Sequence, residues 1–146
     1  MNDAEFEQQK ARLIALIDRW IKPLGLAWWS IDIVYVRDDY KPPFATPQKT
    51  VSLAYCEVDW RYYEATITWN MPEVLELSDW KLERGFVHEL MHIFIHEMRW
   101  TASNDADALD HEERVASTLS KAFLWLREEL EGGQQVTGED SADATK

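Results

Sequence analysis

Residues 80–99 have the periodicity of a helix, yet the segment is apolar almost all the way round, and this constrains the fold more than any other stretch. Leu82, Phe86, Val87, Leu90, Met91, Ile93, Phe94, Ile95 and Met98 cover most of its circumference, so the helix has to be central to the core. Three of the chain's four histidines interrupt it, at positions 88, 92 and 96. With His88 at 0° and about 100° per residue, His92 projects at about 40°, His96 at about 80° and Glu89 at about 100°, with Lys81 and Gly85 in the same arc. A polar face on a buried helix must find partners.

Residues 88–92 read HELMH, an HExxH pattern. Four residues apart on a helix, two imidazoles project to one side about 6 Å from each other, near enough to share one Zn²⁺. The glutamate beside the first histidine, Glu89, then reaches the attacking water rather than the metal. The plainer alternative is a pair of histidines satisfied within a core or at a surface, since a lone HExxH also arises by chance.

A catalytic zinc takes three protein ligands and leaves one position open. His96, His111, Glu112 and Glu113 are the candidates for the third. In the helix expected over residues 111–130, Val115, Ala116, Leu119, Phe123, Leu126 and Leu130 form an apolar stripe, and Glu112 projects onto its middle. A carboxylate there needs a partner, which makes Glu112 the preferred ligand; the field at a helix start offers a rival reason for an acid at this position. Glu113 projects off the stripe and reads as solvated, with the ligand role as its alternative. His96 is awkwardly placed for the same ion and reads as a cleft-lining or surface residue. His111 reads either as a cleft residue that stabilises an oxyanion or as a chance placement at a helix start.

The chain has 146 residues, is 46% hydrophobic and contains eight tryptophans, which suits one folded domain with an aromatic-rich core. A net charge of -12 without any block of Lys and Arg speaks against nucleic acid and anionic membranes as partners. The N-terminus lacks the pattern of a secretory signal and no apolar run approaches a membrane span, so a cytoplasmic location is expected. The single cysteine, Cys56, excludes an intrachain disulfide and a cysteine-based zinc knot, and reads as a buried thiol. Any metal site therefore has to use histidine and carboxylate.

Around the central helix the pattern is α+β. A helix is expected over residues 4–21, strands over 28–36, 51–58 and 62–69, and a proline-bearing loop over 38–48. The last two strands, joined by a short turn at 59–61, suggest an antiparallel hairpin. Residues 70–77 connect to the central helix, with Ser78 or Asp79 as its N-cap, and a polar stretch over 101–110 precedes the last helix. Gly132 and Gly133 are expected to end that helix, leaving a domain over 1–131 and a disordered acidic tail over 132–146.

The HELMH motif, with a glutamate 20 residues beyond His92, resembles the gluzincin group of zinc metallopeptidases. The layout over residues 5–130 is similar to that of the minimal gluzincins, ImmA/IrrE-type and other small phage or prophage metallopeptidases; the motif itself covers only residues 88–96 and 112–116. His96 resembles a residue that many ImmA-like chains carry, whereas Met91 stands where they have glycine. The resemblance implies a zincin-like α+β fold with an N-terminal helix, a three-stranded mostly antiparallel sheet, the HExxH helix and a C-terminal glutamate helix. It implies Zn²⁺ held by His88, His92 and Glu112, and hydrolysis of a peptide or protein substrate with Glu89 as general base. It also implies that the strand at 62–69 offers its backbone edge to that substrate. A catalytically silent zincin-fold accessory or partner-binding protein, phage-encoded, is the alternative.

Overall fold

The computed structural model describes residues 1–37, 52–101 and 106–136. The loop expected over 38–48, residue 51 at the expected start of the second strand and residues 137–146 of the expected tail lie outside the described residues.

Helix α1 (Asp3–Trp20) starts on a capping box in which Glu5 N donates to Asn2 Oδ1 at 2.9 Å and Asn2 N donates to Glu5 Oε2 at 2.8 Å. Leu13, Leu16 and Trp20 lie on its buried face. Gly25, at φ 73°, then turns the chain through the left-handed region that favours glycine. One turn of 3-10 helix (Leu26–Trp28) leads into strand β1 (Ser30–Val36). Trp28, expected to open the strand, lies in that turn and is 90% exposed.

Strands β2 (Ala54–Asp59) and β3 (Glu64–Asn70) form the expected antiparallel hairpin. The sheet order is β1-β3-β2, and β1 runs parallel to β3, from Ser30 opposite Glu64 to Val36 opposite Asn70. The sheet is therefore mixed, with one parallel and one antiparallel pair, rather than mostly antiparallel as expected. Strand composition explains the order. β3 has no charged residue after Glu64 and buries most of its length, which suits the centre; Asp32 in β1 and Glu57 and Asp59 in β2 suit edges. The segment 62–69, implied to offer a free edge, is instead the central strand and is bonded on both sides.

A short helix, α2 (Met71–Leu75), precedes the central helix α3 (Asp79–Thr101). As its periodicity requires, the middle of α3 is largely buried: Leu82, Phe86, Val87, Leu90 and Met91 have almost no exposed surface, whereas Phe94, expected among them, is 45% exposed. Phe86 stacks on Trp69 of β3, with ring centroids 5.9 Å apart and planes inclined by 10°. Gly85 lets the chain entering β2 approach closely, since a Cβ there would meet Leu53 Cδ2 at 2.9 Å. α3 packs against α1, β2 and helix α4 (Ala106–Val136). Among the described residues no helix is long and apolar enough to cross a membrane.

α4 extends beyond the expected 111–130 at both ends and passes through Gly132 and Gly133. Gly132 does not adopt the left-handed conformation that would end the helix, and nothing lies within 4 Å of its would-be Cβ. The buried row is Glu112, Ala116, Ser120 and Leu124, whereas Val115, Leu126 and Leu130 of the expected stripe are exposed. Leu119 and Phe123 of the stripe pack partly buried beside this row, so α4 meets its neighbour along a line of residues four apart and only one flank of it.

A buried carboxylate ties three helices together. Glu83 Oε1 accepts from Trp20 Nε1 at 2.8 Å, from Arg19 at 3.2 Å and from Arg127. Burial by itself raises the pKa of Glu83, but these donors outweigh it and hold the carboxyl below its ordinary value of 4.5. Such a group contributes stability that is fully present above the unfolded-state value and is lost as pH falls through the native one. Glu83→Gln should therefore cost about 2 kcal/mol at neutral pH. It should also flatten the acid limb of the stability curve below pH 4.5, a difference that urea titrations of both proteins across that range measure. Acid limbs that run parallel would assign the acid sensitivity to another group.

Candidate metal centre

The four-residue spacing on α3 brings His88 and His92 together, with ring centroids 4.9 Å apart and planes at 78°. Their Nε2 atoms are 3.2 Å apart. α4 sets a carboxylate against both: Glu113 Oε2 is 3.3 Å from His88 Nε2, and its Oε1 is 3.5 Å from His92 Nε2. One donor atom from each of His88, His92 and Glu113 can be chosen so that all lie within 4.8 Å of one another.

The far nitrogens of the two rings are met as well. His92 Nδ1 is 2.8 Å from Glu112 Oε1, and His88 Nδ1 is 3.3 Å from Ser117 Oγ. An ionised carboxylate only accepts, so His92 donates from Nδ1, and in the neutral ring its Nε2 carries a lone pair. A lone pair beside a second imidazole nitrogen and a carboxylate calls for a proton or a cation among them. Burial pulls the pKa of His92 down, but the hydrogen bond to Glu112 and the charges of Glu89, Glu113 and Glu112 outweigh it and raise the pKa above 6.5.

Exposure is graded across the group. Glu112 and His92 are buried, His88 is partly buried, and the side chain of Glu113 is 53% exposed. The centre is thus closed on the Glu112 side and open to solvent at Glu113. Glu89 follows His88 on α3, partly buried, and its charge acts on both His92 and Cys56. Burial first, then Glu89, Glu112 and Glu57, push the Cys56 thiol well above its ordinary value, so it stays protonated and is no nucleophile.

Glu112 was the expected third ligand. It is buried, as its projection implied, but its carboxylate reaches the Nδ1 side of His92, and Glu113 joins the Nε2 group in its place. The buried row of α4 points at the flank of His92; a residue about 100° round the helix stands at the rim, where one carboxylate can meet both Nε2 atoms. Periodicity finds buried positions, and a donor at the solvent-open edge does not follow it. Ser117, one turn beyond Glu113, was not singled out from the sequence. His96 lies one turn past His92, and His111 is exposed with its Nδ1 2.9 Å from Arg114. Neither belongs to the three-donor group found among the described residues.

The donor set fits zinc. Tetrahedral bonds of about 2.0–2.1 Å to nitrogen and oxygen put neighbouring donors about 3.3–3.4 Å apart. The separations of 3.2 Å between the imidazole nitrogens, and of 3.3 and 3.5 Å from them to the two oxygens of Glu113, lie within about 0.1 Å of that spacing. Two imidazoles and one carboxylate with a solvent-open side also make a ligand set typical of catalytic rather than structural zinc. No family model, no curated protein and no solved structure matches the chain.

Proposed function

We propose that this protein is a zinc-dependent hydrolase of peptide bonds, with His88, His92 and Glu113 as ligands and Glu89 as general base. The observation that carries this reading is the convergence of two Nε2 atoms from α3 and one carboxylate from α4, open to solvent, beside the Glu89 that follows His88 on α3. Zinc in such a site supplies Lewis acidity toward water and toward a carbonyl. Glu89 takes a proton from the attacking water as the new C–O bond forms, and delivers it to the amine nitrogen as the C–N bond breaks. Glu89 ends the cycle as it began. A structural zinc is closed by four protein ligands and needs no base at position 89, which favours the hydrolase over the catalytically silent alternative. The substrate is a peptide or protein segment. β2, the edge strand packed against α3, takes the part first expected of residues 62–69 in pairing with an extended chain.

Purified without added metal, the wild-type protein should carry one zinc per chain by elemental mass spectrometry, and His92→Ala should carry none. Absence of zinc from both, even after zinc is supplied, would return the helix to a histidine-rich core element. Glu89→Gln should keep its zinc and its fold while cleavage of a denatured reporter protein falls by about 100-fold or more. Cleavage at the wild-type rate would remove Glu89 from the role of base.

A further inference from the structure

Each imidazole of the pair has its second ring nitrogen met from α4 by a side chain outside the three-donor group: Glu112 Oε1 at 2.8 Å from His92 Nδ1, and Ser117 Oγ at 3.3 Å from His88 Nδ1. A metal binds an imidazole nitrogen that holds no proton, so the proton of the neutral ring has to sit on the other nitrogen. Glu112, only 8% exposed, is a buried acceptor that binds the proton at Nδ1 and needs that donor in return. A ring held at Nδ1 is also kept from swinging away from its neighbour.

Resting on the zinc reading above, we propose that Glu112 and Ser117 are positioning residues. They hold the proton of His92 and of His88 at Nδ1 and aim both Nε2 lone pairs at one divalent cation. α4 then acts as ligand and support together: Glu113 supplies a donor, while the residue before it and the residue one turn after it orient the other two. Glu112 acts more strongly than Ser117, because a hydrogen bond to a charged acceptor is roughly twice as strong as a neutral one.

The test uses the full chain and the variants Glu112→Ala, Glu112→Gln, Ser117→Ala and Glu113→Ala. Three readouts are taken: zinc affinity by competition with a chromophoric chelator, ring-nitrogen NMR of the metal-free protein, and the visible spectrum of the Co²⁺ form. Zinc affinity should fall about 10- to 100-fold in Glu112→Ala and about 3- to 10-fold in Ser117→Ala. Glu112→Gln keeps the size of the side chain and covers the case in which the alanine variant does not fold; its affinity should fall roughly 10-fold. The His92 proton should redistribute between Nδ1 and Nε2 in both Glu112 variants. The Co²⁺ spectrum should stay as in wild type for Glu112 and Ser117 variants and change for Glu113→Ala, since only the last loses a ligand. Wild-type affinity and an unshifted His92 proton in Glu112→Gln would overturn the positioning role, as would a Co²⁺ spectrum that changes with Glu112 but not with Glu113. Wild-type protein that binds neither zinc nor cobalt would remove the zinc reading itself; tight binding weakened by Glu113→Ala but unchanged by the Glu112 and Ser117 variants would remove only the positioning roles.

Discussion

Helix α3 meets two demands that pull against each other: enough apolar surface to be enclosed by protein, and a line of imidazoles that no apolar surroundings would tolerate. The contact with α4 reconciles them. Leu82, Phe86, Val87, Leu90 and Met91 are buried in the core, while His88 and His92 are met from α4 by Glu112, Glu113 and Ser117. A buried polar group without a partner costs about 1–3 kcal/mol, so an apolar α4 at these positions would leave α3 poorly placed in the core. Packing and chemistry share one interface.

The same interface carries a second polar contact farther along. Glu83 of α3 meets Arg127 of α4, His88 meets Ser117, and His92 meets Glu112. Positions that rise along α3 match positions that fall along α4, so the two helices run antiparallel. Apolar contacts tolerate sliding because hydrophobic attraction has no direction. Buried hydrogen-bonded pairs do not, and a slip of one turn would part all three at once. The register that assembles the candidate centre is thus held by groups that lie partly outside it.

Much of this was legible in the sequence because it depends on neighbours. The 3.6-residue period of residues 80–99 announced a buried helix, and the spacing of His88 and His92 placed them on one side of it. The β2–β3 hairpin followed from two strand-like runs and a short turn. The sheet order did not follow, since the pairing of Ser30 with Glu64 joins residues far apart in the chain and local alternation is blind to strand direction. In hindsight the uncharged run after Glu64 marked the central strand.

Two adjacent glutamates show where the boundary lies. The sequence by itself determined that an acidic pair lies on a helix and that Glu112 shares a buried row with Ala116, since both follow from helical periodicity. Only the tertiary structure decided that Glu112 faces His92 Nδ1 while Glu113 faces both Nε2 atoms. That choice depends on the rotation and register of α4 against α3, which are set jointly by contacts as distant as Glu83 with Arg127 and are therefore not encoded in either helix alone.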